Sequence, residues 1–128
     1  MAALFAKLEN APTVKEGVRR MLNGALDMHF DENNPGGCLV VLSVVESGQH
    51  DEQSQAGLQQ SLQQLKAVLQ ARLSMAKKAG ELSKQLDVGS TATTIATTMA
   101  GMMVLGKANF SKASLKKTIN QVVSLLDK

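Results

Sequence analysis

The sequence predicts an all-α protein: a single domain of five main helices, preceded by a short helical stub at residues 1–10. Three observations lead there. Apolar residues recur at three- and four-residue intervals along most of the 128 positions, the spacing of one face of a helix. Helix start and stop signals bracket those stretches at Thr13, Gly80, Asp87 and Ser111. The one run with strand-like composition, residues 38–45, has no second such run to pair with. A lone strand would leave its backbone ladder unsatisfied.

The elements follow in order. Residues 2–10 read as the end of an earlier helix, stopped by Asn10-Ala11-Pro12. Thr13-Val14-Lys15-Glu16 has the form of a capping box, in which hydroxyl and carboxylate satisfy backbone amides reciprocally. Val18, Met21, Leu22, Ala25 and Met28 then recur at helical spacing, so a helix is expected over about 13–30. The stretch "DENNPGG" is a turn. The apolar run after it is expected to be a helix over about 36–47, buried nearly all round. Its valines favour a strand by propensity, but the helical context decides. After "SGQHDEQSQ", Leu58, Leu62, Leu65, Leu69 and Leu73 step by four, three, four and four. That is a long amphipathic helix, capped near His50 or Asp51 and ended by Gly80 in the left-handed conformation. Asp87 caps a helix to about residue 107. Ser111 caps the last one, where Leu115, Ile119, Val122, Val123 and Leu126 form an apolar stripe.

Composition excludes several function classes. Aromatics are 2% of the chain, with no Trp or Tyr, which argues against an aromatic cage or a base-stacking platform. The net charge is +3 and the basic pairs Arg19-Arg20, Lys77-Lys78 and Lys116-Lys117 lie on different segments, which reads as solvated helix faces rather than a nucleic-acid footprint. With two histidines and one cysteine, the chain holds no HExxH or CxxC motif for zinc and no paired ExxH motif for di-iron. It also lacks GxGxxG, P-loop and GxSxG signatures. The expectation is a non-enzymatic protein without metal or cofactor. A single cysteine forms no internal disulfide, and the opening residues carry Lys7 and Glu9 instead of a long apolar signal region. A cytoplasmic location is therefore expected. Residues 92–105 are apolar-leaning but shorter than the roughly 20 residues a bilayer span needs, so no membrane association is expected. That segment is rich in Ala, Gly and Thr, with Met99, Met102 and Met103. It reads either as an ordinary core helix or as a helix–helix contact between subunits, the second being favoured.

Four stretches taken together resemble a known family: "APTVKEGVRRML", "PGGCLVVLSVVE", "LQARLSMAKKAGEL" and "LDVGSTATTIATTMAGMMVLGKANFSKASLKKTINQVVSLL". The chain resembles the C-terminal, ligand-binding and dimerisation half of TetR-family transcriptional regulators. The resemblance covers essentially the whole chain but omits the family's N-terminal helix-turn-helix domain, so a fragment is expected, with residues 1–10 the end of a linker helix. It implies a homodimer built by the last two helices, with Met102, Leu115, Ile119, Val122, Val123 and Leu126 at the interface. It also implies an effector pocket among the other helices. Met21, Ala25, Met28, Val41, Leu42, Val45, Leu69, Met75, Met99 and Met103 are its candidate lining, suited to a small apolar or electrophilic effector; any single one of them reads more readily as plain core. Operator DNA would be bound only through the missing domain.

Cys38 falls where an electrophile- and oxidant-responsive branch of the family resembles this sequence, and Lys107 where that branch can carry a lysine near its sensing cysteine. A helix N-terminus and an ammonium both favour the reactive thiolate. The alternative is a small buried hydrophobe. Two other classes stay open at this stage: a non-regulatory helical dimeric adaptor and a thiol-dependent redox protein.

Overall fold

The computed structural model describes residues 2–30 and 52–128. Five α-helices occupy them: α1 (Ala2–Glu9), α2 (Val14–His29), α3 (Glu52–Lys78), α4 (Val88–Lys107) and α5 (Lys112–Val123). A 3₁₀ turn, Ser124–Leu126, closes the chain, and no strand occurs among the described residues. The helix expected over 36–47, and the cap at His50 or Asp51, lie outside the described residues.

The helix ends follow their sequence signals. Thr13 caps α2, its hydroxyl accepting from the Glu16 amide at 3.2 Å. Only half of the expected capping box forms. The Glu16 carboxylate turns instead to Arg19 and Arg20, at 2.9 and 3.2 Å, which holds it below the usual carboxylate range. A distant carboxylate serves the α2 terminus as well: Glu81 accepts from the Val14 amide at 2.9 Å. Asp87 and Ser111 cap α4 and α5 through the amides of Ser90 and Ser114. Gly80, at φ +83°, ends α3. The Glu81 amide reaches back to the Ala76 carbonyl and the Gly80 amide to Lys77, the paired bonds of a Schellman motif. Asn109, at φ 70°, ends α4 in the same way, with the Phe110 amide on Leu105.

α2 is the central element and touches the other four helices, while α3 packs chiefly on α4. Its apolar stripe of Val14, Val18, Met21, Leu22, Ala25 and Leu26 is buried. The core also takes Leu4 and Leu8 from α1, Leu65, Leu69, Leu73 and Ala76 from α3, and Leu115, Ile119 and Val123 from α5. No polar or charged side chain is buried among the described residues. α1 and α2 approach closely at Gly17, where an added Cβ would sit 2.5 Å from the Leu8 carbonyl oxygen. The chain end is tied down by Lys128 to the Gly80 carbonyl, at 2.9 Å, and by Lys15 to Asp127.

Candidate functional site

Three features bear on function: an interior cluster of methionines, an outward face of α4, and a surface groove between α1 and α3. The buried methionines are Met21 of α2 and Met99, Met102 and Met103 of α4, all members of the one core that also holds Ala25 and Leu69. Methionine adapts its shape to irregular space. Two of the candidate pocket residues lie elsewhere. Met28, next to last in α2, is exposed, and Met75 is 66% exposed. The reason for Met75 is register. The α3 stripe runs Leu65, Leu69, Leu73, Ala76, and Met75 stands well off it. Val41, Leu42 and Val45 lie outside the described residues.

The outward face of α4 differs from the expectation. Met102, Leu115, Ile119, Val123 and Leu126 are each 3% exposed or less within a single chain, and Val122 packs against the same core. α5 spends its apolar stripe on α2 and α4 of its own chain, so those side chains are core rather than an open interface. What α4 leaves outside is Thr94, Thr97, Gly101, Val104 and Leu105. Only 28% of its most apolar stretch is buried. The threonine hydroxyls do not make this face polar. Thr91, Thr93, Thr94, Thr97 and Thr98 each donate to the carbonyl four residues back, at 2.7–3.1 Å. Their donors are spent inside the helix, and the methyl groups contribute to its surface. At Gly101 a Cβ would meet nothing within 4 Å.

α4 is also longer than the 14-residue segment considered from sequence. At 20 residues and hydropathy 1.3 it passes for a membrane span on length and composition alone. In the fold its buried face, Ala92, Ile95, Met99, Met102 and Met103, belongs to the bundle core.

The groove has a volume of about 680 Å³ and is lined by Glu9 of α1, by Ala67, Val68, Ala71, Arg72 and Met75 along α3, and by Ala79 and Glu81 just after it. Arg72, 14% exposed, faces Glu81 at 3.9 Å. Of the two sensing candidates, Cys38 lies outside the described residues, and Lys107 is the exposed last residue of α4. His29 closes α2 with its ring against Gly106, where no Cβ fits. No group of three potential metal ligands occurs among the described residues.

Residues 15–122 match the sequence profile of the tetracycline-repressor-like C-terminal domain. The chain belongs to this TetR C-terminal family. Solved TetR-family structures carry the same fold. A double cysteine mutant of the transcriptional regulator CifR, complexed with 26-base-pair operator DNA and with apo-CifR, superposes with a TM-score of 0.86 at 23% identity, over 95% of this chain and 64% of that one. A triple cysteine mutant of CifR with the same operator length gives 0.87 at 22% identity, over 98% and 65%. A TetR-family regulator from Cytophaga hutchinsonii gives 0.78 at 18% identity, over 98% and 62%. The chain thus spans less than two thirds of each. No curated protein matches it significantly.

Within the TetR C-terminal fold, sequence reasoning missed the groove and the identity of the outward α4 residues. Alternation between Thr94, Thr97, Gly101 and Val104 at three- and four-residue steps is the signal for the second.

Proposed function

We propose that this chain is the effector-sensing and dimerisation domain of a TetR-like transcriptional repressor. The observation that carries the dimer is the outward face of α4. Large apolar faces left open on a protomer mark interfaces. A second copy related by a two-fold axis would meet this one with the same residues. Thr97 and Gly101 let two backbones come close, and Val104 and Leu105 supply apolar contact. The interface is thereby moved from the stripe of α5 to the free side of α4.

The effector reading is supported by the methionines at the junction of α2 and α4. A small apolar or electrophilic compound entering between them would separate helices that share one core. In the intact regulator, operator DNA would be held by a domain outside this chain; the CifR mutants, similar in fold, are complexed with operator DNA. Modification of Cys38, assisted by Lys107, is the alternative input. No catalytic role is assigned to any residue.

The test is the oligomeric state by light scattering. The chain should be a dimer, and Gly101→Arg a folded monomer. A dimer unaffected by Gly101→Arg removes α4 from the interface and with it the geometric basis of this reading.

A further inference from the structure

Glu81 ends one helix and begins another. Its backbone amide reaches back to the Ala76 carbonyl in the turn that closes α3, beside Gly80 at φ +83°. Its side chain serves α2. The Val14 amide, the first of that helix, donates to Glu81 Oε1 at 2.9 Å. Such an amide has no partner within its own helix, and the Thr13 hydroxyl is taken by the Glu16 amide. The second carboxylate oxygen of Glu81 faces Arg72 of α3 at 3.9 Å. Leu82, the next residue, is buried in the core, so the carboxylate is carried on an anchored turn. The chain end closes round the same place. Lys128 donates to the Gly80 carbonyl at 2.9 Å, and Lys15, next to Val14, pairs with Asp127.

α1 is bound to the start of α2. Only residues 10–13 join the two helices, Ala11 among them is buried, and the backbones meet where Gly17 faces the Leu8 carbonyl. From α3, by contrast, α1 is largely separated by the groove. We propose that Glu81 is a positioning residue that couples the end of α3 to the α1–α2 elbow. A displacement of the α3 terminus carries the carboxylate with it, and the carboxylate carries the Val14 amide and the elbow. The regulatory meaning of this link rests on the reading above: α3 contributes Leu65, Leu69 and Leu73 to the core in which an effector would lodge, and α1 would lead toward the DNA-binding domain. The link itself needs neither dimer nor effector, so it stands or falls separately from that reading.

Amide hydrogen exchange of the full chain, read residue by residue by NMR, tests the link. Two sets of hydrogen-bonded amides matter: Asn10, Val14 and Gly17 at the elbow, and Ala79, Gly80 and Glu81 at the end of α3. Coupling between two sites is felt at both. Glu81→Ala should therefore raise exchange in both sets, at the elbow by about tenfold, the middle of the range for a lost cap. Thr13→Ala removes a cap from the same helix without touching α3, and should raise exchange at the elbow alone. Glu81→Gln keeps an oxygen for the Val14 amide and should keep both sets protected. The amides of Leu115, Ile119 and Val123 in α5 should exchange as in the unaltered chain throughout. Glu81 lies outside the core, so helical circular dichroism should be unchanged. No rise in Glu81→Ala, a rise confined to the elbow, a rise spread evenly through α5, or Glu81→Gln exchanging as fast as Glu81→Ala overturns the proposal.

Discussion

Replacing Gly17 by alanine tests how α1 is held on the bundle. Two effects oppose each other. In a helix interior, alanine is favoured over glycine by about 1 kcal/mol. Against that, the new Cβ would lie 2.5 Å from the Leu8 carbonyl oxygen and 3.3 Å from the Leu8 carbonyl carbon and Cα. A comfortable carbon–oxygen approach is about 3.3 Å, so α1 must retreat by roughly 0.8 Å. The obstacle is backbone in a helix that anchors Leu4 and Leu8 in the core, not a side chain that can swing away. The upper part of the overpacking range, about 2–3 kcal/mol, therefore applies. The net expectation is a loss of about 1–2 kcal/mol. For a chain of this size that is a fall in melting temperature of roughly 4–8 °C. Gly57→Ala is the control: it lies in α3, is exposed, and its added Cβ meets nothing within 4 Å. It should stabilise by up to about 1 kcal/mol. Urea unfolding at one fixed protein concentration reads both, since a dimer's apparent stability depends on concentration. If Gly17→Ala stabilises as much as Gly57→Ala, the α1–α2 contact is not the close approach described.

The core and the outward face of α4 should respond differently to charge. Met102→Asp should unfold the chain, seen as lost helical circular dichroism, whereas Val104→Asp should stay helical and lower the dimer fraction in light scattering. Asp87 holds the Ser90 amide at 3.1 Å, and that bond keeps its carboxyl below the ordinary aspartate range. Because the folded value is the lower one, the stability it contributes is present above the unfolded value, about 3.9, and is lost as pH falls through the folded value. Asp87→Asn should retain the cap at neutral pH and flatten the melting-temperature profile below about pH 4; an unchanged profile would take Asp87 out of the acid response. For Cys38, the rate of thiol alkylation across pH should show a thiolate formed below the usual value of about 8.5, and Lys107→Ala should slow it. A thiol unreactive until denaturant is added identifies Cys38 as core.

Much of the fold was legible because its signals are local. Thr13, Asp87 and Ser111 cap the helices expected of them, and Gly80 adopts the left-handed conformation that ends α3. Asn109 ends α4 by the same bonds but was not foreseen, since asparagine takes this position less often than glycine. Pairings between distant segments were not legible. Nothing in the sequence says that Glu16 abandons its capping box for two arginines, or that Glu81 serves the α2 amide in its place. The groove was equally hidden, because Met75 reads as one more apolar residue until the α3 stripe fixes which way it faces.

The interface prediction shows how periodicity identifies a buried face without saying what buries it. The α5 residues Leu115, Ile119 and Val123 form the cleaner stripe, and a clean stripe is what an amphipathic helix uses to join its own core. A helix that packs on both sides shows less contrast. α4 has Ala92, Ile95, Met99 and Met103 inward, and Thr94, Thr97, Gly101 and Val104 outward, so its apolar character is spread around the axis. The threonines bear on whether that outward face could be buried. A hydroxyl bonded to its own helix, as at Thr94 and Thr97, needs no water, and so the outward face is less polar than its residue names suggest. A second copy meeting that face would bury methyl groups, Val104 and the open side of Gly101 without stranding a donor. A polar outer face would have been costly to bury in the same way.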